Sequence, residues 1–84
     1  MDEKKLIAKA QEGHKLSMNM LLENHYKMLY AFMLKLSMDE DLAKDMTQEA
    51  MIKAVVNIKK FRGDSKFSTW LIRIGINHYK THIK

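Results

Sequence analysis

Proline is absent from this chain, and only three Gly occur among its 84 residues. These two residue types are the ones that most often interrupt helices, so little in the sequence stops helical backbone from continuing. Apolar residues recur at three- and four-residue steps, and no useful length of chain alternates apolar and polar residues as a strand would. The sequence therefore predicts an all-α protein, and its length suits a single small domain.

Helix start and stop signals divide the chain into four helices. Gly13 is a natural terminator for the first helix. Ser37 with Glu40 fits a capping box at the start of the third helix, with Asp39 as a second candidate cap. Ser68 or Thr69 can cap the fourth. The approximate bounds are 2–12, 16–36, 39–60 and 68–84, with Ser17 as an alternative start of the second helix. We expect a compact bundle of one short N-terminal helix and three longer helices.

Two apolar rows are candidates for the core of this bundle. The second helix presents one row at helical spacing, and the third helix presents another. The first row is Leu21, Leu22, Tyr26, Leu29, Phe32, Met33 and Leu36. The second row is Leu42, Met46, Ala50, Ala54, Ile58 and Phe61. Five of the eight Met residues are expected to fill gaps in this small core, because Met side chains adapt to irregular space; they are Met18, Met28, Met33, Met46 and Met51.

Charge is distributed unevenly along the chain, whose net charge is +5. Residues 1–52 hold seven Lys and nine acidic residues, a net of −2. Residues 53–84 hold eight Lys or Arg and one acidic residue, Asp64, a net of +7. A basic C-terminal third indicates a nucleic acid or another anionic surface as a partner.

The location of the protein is predicted by what the sequence lacks. There is no Cys, which fits a reducing compartment. No apolar run approaches the roughly 20 residues of a membrane span, and the N-terminus does not resemble a signal peptide. We therefore expect a cytoplasmic protein without membrane insertion.

One face of the fourth helix combines an aromatic ring, an amide and three cations within about 80° of arc. Its residues are Trp70, Arg73, Asn77, Lys80 and Lys84. Such a face suits an unstacked base and its phosphates. The pattern predicts binding of single-stranded nucleic acid. The alternative is that Trp70 anchors the core and the cations form an ordinary solvated face.

A short polar loop directly precedes this helix. Arg62 and Lys66 can hold phosphate groups. Asp64, Ser65 and the free backbone groups around Gly63 can bond the edge of an extruded base. Loop and helix face together form the candidate strand-binding site.

A second candidate surface lies on the third helix, where acidic, amide and apolar side chains share one row. Its members are Asp45, Gln48, Glu49, Ile52 and Val56. The ordinary interpretation is a solvated helix face, but such a face would avoid Ile and Val. The mixture favours a docking surface for a basic or amphipathic partner helix.

Catalytic chemistry finds little support in the sequence. No Ser or Thr lies beside a His and an acid in a recognisable order, and the scattered Gly residues form no phosphate-binding loop. His78 and His82 share a helix face but have no third ligand nearby. We expect neither an enzyme, nor a bound cofactor, nor a metal site.

These motifs together resemble bacterial RNA polymerase sigma factors, in particular region two of the extracytoplasmic-function group. The resemblance is carried by the segments at 45–55, 61–65, 67–71 and 73–77, which read DMTQEAMIKAV, FRGDS, FSTWL and RIGIN. It implies a helical region-two domain over residues 1–84. The helix-turn-helix domain of the family is absent, so we expect an excised domain.

The resemblance also implies two partners. The row Asp45, Gln48, Glu49, Ile52 and Val56 would dock on the clamp helices of the largest subunit of core RNA polymerase. The loop and last helix would capture the melted non-template strand of the promoter −10 element and trap an extruded base. The implied DNA-binding residues are Phe61, Arg62, Gly63, Asp64, Ser65, Lys66, Phe67, Trp70, Arg73, Asn77 and Lys80. An anti-sigma factor is a further partner that the resemblance allows.

Two alternatives remain open from the sequence. One is a helical interaction module, such as a sequestering or regulatory subunit, with a non-specific basic surface. The other is peripheral membrane binding through the fourth helix, whose apolar residues would lie at the headgroup boundary. Those residues are Ile72, Ile76, Tyr79 and Ile83.

Overall fold

Four α-helices make up nearly all of the computed structural model, which describes residues 2–82 and contains no strand in that range. Their bounds are α1 Glu3–Gln11, α2 Lys15–Ser37, α3 Glu40–Asn57 and α4 Phe67–His82. A short 3₁₀ helix, Ile58–Lys60, continues α3. The predicted all-α bundle with one short helix and three longer ones is confirmed.

The junction between α1 and α2 is set by a glycine and a histidine. Gly13 has a φ of +94°, a left-handed conformation that favours glycine, and it follows α1 as predicted. The cap of α2 is His14, whose Nδ1 accepts a hydrogen bond from the backbone N–H of Ser17 at 3.2 Å. The alternative start at Ser17 is therefore wrong, because Ser17 lies in the first turn of the helix.

The observed N-caps of α3 and α4 each differ in part from the predicted ones. Asp39 caps α3 by accepting from the N–H of Leu42 at 3.0 Å, whereas Ser37 is the last residue of α2. In α4 the predicted caps at Ser68 and Thr69 are wrong. The helix begins at Phe67, and its first turn is closed by the N–H of Trp70 donating to the carbonyl of Lys66 at 3.1 Å.

The core lies where all four helices meet. Its fully enclosed large side chains include Leu6 from α1, Leu21, Leu29 and Met33 from α2, Met46 from α3, and Phe67 and Leu71 from α4. The buried face of α2 is narrower than predicted, since Tyr26, Phe32 and Leu36 are exposed. The buried face of α3 is broader than predicted, because Ala43 and Thr47 are fully buried beside the predicted row.

Helices α2 and α4 cross at Gly75. A Cβ atom at that position would lie 2.9 Å from the terminal methyl carbon of Met33, so only glycine permits this approach without movement of the Met side chain. The crossing fixes the rotation of α4 about its axis. It thereby determines which α4 residues face away from the bundle.

Candidate single-strand nucleic-acid interface

The loop that precedes α4, residues 61–66, is held in place by α1. The side-chain amide of Gln11 donates to the carbonyl oxygen of Ile58 at 3.0 Å and to that of Phe61 at 2.7 Å. The carbonyl of Ile58, at the start of the 3₁₀ helix, also accepts from the backbone N–H of Phe61 at 3.1 Å, whereas the carbonyl of Phe61 lies at the start of the loop. The sequence offered no signal for this contact, because its partners are 47 and 50 residues apart along the chain.

Replacement of Gln11 by Ala should leave the carbonyl of Phe61 without its side-chain donor, while the carbonyl of Ile58 keeps the N–H of Phe61. We expect the free energy of unfolding to fall by about 1–3 kcal/mol, the usual cost of an unsatisfied buried polar group. Chemical denaturation followed by circular dichroism measures this loss. The neighbouring Glu12 is exposed and its side chain holds no such carbonyl, so Glu12→Ala is the matched control. Equal stability of the two variants would show that the Gln11 contacts contribute nothing.

A cluster of aromatic rings packs together at the two ends of the loop. The ring centroids of Phe61 and Phe67 are 5.7 Å apart, and Trp70 lies 5.2 Å from the first and 5.6 Å from the second. The ring of His25 packs 5.1 Å from Phe67. These tilted arrangements are the favourable ones for aromatic pairs. The cluster joins both ends of the loop to the core.

Phe61 and Phe67 differ from the rest of the predicted DNA-binding set. They are only 8% and 1% exposed, so their side chains belong mainly to the core. Phe67 therefore supports the loop from the core, whereas Phe61 also contributes to the wall of a cavity beside Trp70. Aromatic residues beside a loop look alike in the sequence whether they face inward or outward, because no helical period spans the loop.

Trp70 lies at the boundary between the core and solvent. It packs against the core but remains partly exposed. A cavity of about 130 Å³ opens beside it. The cavity is lined by Lys60, Phe61, Arg62, Asp64, Ser65, Trp70 and Arg73. The loop and α4 thus form one concave site with an indole in its wall.

The side chains around this cavity are predominantly cationic. Arg73, Asn77 and Lys80 are exposed on the same face of α4, while Lys84 lies outside the described residues. Arg62 approaches Asp64 at 3.6 Å, but both side chains are about 80% exposed, and such pairs are weak. Arg62 therefore remains available to a phosphate group.

The mixed row on α3 is exposed along its length. Asp45, Gln48 and Glu49 face solvent, and Ile52 and Val56 are 57% and 74% exposed. Two apolar side chains this exposed leave a surface that a partner can cover. The structure brings the five residues together as one face of α3.

An apolar cavity that the sequence argument missed adjoins this row. It has a volume of about 210 Å³ and lies between α3 and the start of α2. Its lining includes Val55, Val56, Met18 and Lys15. The Val55–Val56 pair was a signal for it, because both are apolar and neither lies on the predicted core row of α3.

Residues 2–82 give no indication of a metal site or of a membrane-spanning helix. Within residues 2–82 no three His, Cys, Asp or Glu side chains are grouped as a metal site would require. His78 instead lies with its Nδ1 3.3 Å from the Nζ of Lys53. No helix in this range is both long and apolar enough to cross a bilayer.

Comparison with known proteins places this architecture in a family. Residues 21–84 match the model of Sigma-70 region 2. The chain is 36% identical over 81 residues to the RNA polymerase sigma-H factor of Pseudomonas aeruginosa, covering 96% of this chain and 42% of that protein. It is 33% identical over 78 residues to the ECF RNA polymerase sigma-E factor of Haemophilus influenzae, covering 93% and 41%. The chain therefore spans about two fifths of these relatives.

A solved structure has the same fold. It is the NMR structure of an engineered region 2 of sigmaE in complex with GTAAAA. The two structures superpose with a TM-score of 0.87 at 29% sequence identity, covering 99% of this chain and 86% of the other.

Proposed function

The chain belongs to the Sigma-70 region 2 family, and on that premise we propose that it is a transcription initiation domain with two binding surfaces. One surface binds the melted non-template strand of a promoter −10 element. The other docks on core RNA polymerase. Residues 1–84 would form a single region-two unit, and neither surface involves catalysis.

The observation that carries the strand-binding proposal is the cavity beside Trp70. An aromatic wall, loop groups that can bond a base edge and surrounding cations are the three elements of single-strand recognition. The site-bearing loop and helix also correspond in fold to a region 2 whose structure contains GTAAAA. We therefore assign extruded-base binding to the Trp70 cavity, with Arg62, Lys66, Arg73 and Lys80 contacting phosphates.

Titration of Trp70 fluorescence tests this assignment, since Trp70 is the only Trp of the chain. A base that stacks on the ring should quench its emission. Single-stranded GTAAAA should do so more strongly than the same sequence within a duplex, where the bases are already stacked. Salt should weaken binding steeply, because phosphate contacts release counterions.

The docking surface is proposed on the exposed α3 row. Asp45 and Glu49 provide negative charge at one end, and Ile52 and Val56 provide an apolar patch at the other. A polymerase helix with basic and apolar residues on one face would complement both parts. In this arrangement the apolar patch supplies affinity and the charges supply orientation.

Replacing Ile52 and Val56 together by Asp should disrupt docking without disrupting the fold, because both side chains project into solvent. We expect affinity for bacterial core RNA polymerase to fall by about thirtyfold or more, the effect of losing a central interface residue. Competition against the unmodified chain for the polymerase measures it. Met38→Asp is the matched control, since Met38 is an apolar residue 85% exposed elsewhere. Equal binding by both variants would remove this surface from the account.

The two alternative functions, a sequestering subunit and a peripheral membrane protein, make different predictions. A sequestering subunit would use the α3 surface but would leave Trp70 fluorescence unaffected by single strands. Membrane binding is not favoured, because Ile72 and Tyr79 pack partly against the core and Ile76 is also partly buried. Ile83, the remaining residue of that face, lies outside the described residues.

A further inference from the structure

The ring of His25 connects three helices close to the loop that precedes α4. Its Nε2 atom lies 2.6 Å from a carboxylate oxygen of Glu3 in α1, so a short hydrogen bond joins the two side chains. The ring also packs 5.1 Å from the ring of Phe67, the first residue of α4. The side chain of His25 is only 14% exposed, so it is held mostly within the protein.

Phe67 joins His25 to the wall of the Trp70 cavity. The rings of Phe67 and Trp70 are 5.6 Å apart, and both residues belong to the first turn of α4. Phe67 is 1% exposed, and side chains in a close-packed interior have little free space around them. A change in the position of its ring therefore changes the position of the rings that touch it. The orientation of His25 thus affects that of the Trp70 indole.

An imidazole ring can be oriented by a hydrogen bond, which the ring of Phe cannot. Its N–H donates in a defined direction within the ring plane, so the acceptor restricts the orientation of that plane. Glu3 of α1 is the acceptor for His25. The same helix holds the beginning of the loop through Gln11, which donates to the carbonyl of Phe61. Helix α1 therefore supports both ends of the loop.

The charge of Glu3 does not suit a neighbouring strand of nucleic acid. Its side chain is 47% exposed, and it lines a cavity together with Ser65 and Lys66 of the loop. A negative charge at this place repels phosphate groups. The hydrogen bond to His25 provides a role for Glu3 that its charge does not.

We propose that Glu3 and His25 form a positioning pair for the Trp70 cavity. Glu3 orients the imidazole, the imidazole supports the ring of Phe67, and Phe67 holds the indole on which a base stacks. The pair acts through Phe67 and not by contact with the strand. This proposal rests on the proposed strand-binding function and adds to it one residue from α1 and one from α2.

The test compares two substitutions of Glu3 that remove the same charge. Glu3→Gln keeps a carbonyl oxygen that can accept from His25, whereas Glu3→Ala keeps no acceptor. Glu12→Ala removes a negative charge from the exposed other end of α1 and is the control for charge alone. Affinity for single-stranded GTAAAA is measured by fluorescence anisotropy, and Trp70 emission is recorded with and without the strand. All variants are compared at a temperature where circular dichroism shows equal helix content.

Glu3→Ala should bind the strand about fivefold more weakly than Glu3→Gln, the ratio that corresponds to one net hydrogen bond. Glu3→Gln and Glu12→Ala should bind as tightly as the unmodified chain or more tightly, because each has lost a negative charge. Without the strand, the emission of Trp70 should change in Glu3→Ala and be unchanged in Glu3→Gln, since only Glu3→Ala releases the ring of His25.

His25→Phe tests the pair from its other member. Phe keeps a ring against Phe67 but has no N–H to donate to Glu3. We expect the same loss of strand affinity as for Glu3→Ala. The double variant should lose no more than either single variant, because the two residues act through one bond.

Equal affinities for Glu3→Ala and Glu3→Gln, with Trp70 still quenched by the strand, would overturn the positioning pair and leave the strand-binding function intact. Additive losses in the double variant would do the same, since they would show that the two residues act independently. If no strand quenches Trp70 in the unmodified chain, the proposed function fails and the positioning pair fails with it.

Discussion

Replacing Phe67 by Ala should destabilise the protein more than any other single truncation near the proposed strand-binding site. Phe67 is 1% exposed and packs against Phe61, Trp70 and the ring of His25. Truncation of a buried Phe costs about 3–5 kcal/mol, while small domains have total stabilities of about 5–15 kcal/mol. We expect the melting temperature to fall by roughly 12 °C or more, since each kcal/mol shifts it by about 4–8 °C in domains of this size.

Thermal unfolding followed by circular dichroism measures this change, and Phe32→Ala provides the matched control. Phe32 is 37% exposed on α2, so its removal should lower the stability far less. Equal losses for the two variants would contradict the burial of Phe67. They would also remove the physical basis for placing the start of α4 in the core.

The second large effect concerns Trp70 and strand affinity. Stacking of a base on an aromatic ring contributes about 1–3 kcal/mol, so Trp70→Ala should weaken binding of single-stranded GTAAAA by about 5–150-fold. Trp70 also packs against Phe61 and Phe67, so truncation will reduce stability as well. Trp70→Phe keeps an aromatic ring at this position and should retain more of both properties.

Truncation of an exposed cavity residue, tested alongside Trp70→Ala, separates the loss of strand contacts from the loss of stability. Fluorescence anisotropy of a labelled strand measures the affinity. Arg73→Ala removes a cation from the cavity wall without disturbing the core and should also weaken binding. Lys44→Ala, an exposed change of equal charge on α3, should have little effect. Equal affinities for Arg73→Ala and Lys44→Ala would indicate a general electrostatic attraction and no site at the Trp70 cavity.

Helical periodicity was sufficient to predict the bundle, because three- and four-residue spacing reports directly which face of a helix is buried. Tyr26, Phe32 and Leu36 were placed in the core wrongly for an understandable reason. They continue the apolar row of α2, but each side chain is 37–40% exposed, so the helices that pack on α2 do not cover the whole row. The width of a buried face depends on how other helices cross it, and a single helix does not encode that.

The residue types of the proposed strand-binding site were predicted from the sequence, whereas the tertiary contacts that hold it in place were not. The indole, amide and cations of α4 share a face by helical geometry alone. The support given by Gln11 arises from tertiary contacts nearly 50 residues away in sequence. Sequence spacing carries no information on such contacts.

The N-caps of α2 and α3 differ from the prediction because neighbouring residues compete for the capping position. Ser17 has the side chain most often found at helix starts, yet His14 occupies the capping position because Gly13 turns the chain just before it. Ser17 retains a bond to the same ring, with its Oγ 2.6 Å from Nδ1 of His14. Asp39 displaces Ser37 at α3 in a similar way, since α2 continues through Ser37.

The central claim is that the accessible face of Trp70, beside the loop cavity, receives a base from a single strand. Titration of Trp70 emission with single strands that differ from GTAAAA at one position at a time tests it most directly. We expect strong quenching by the parent strand and a marked loss of quenching when the base at one or two positions is changed. Equal quenching by every sequence, or none by any, would contradict base capture at this cavity.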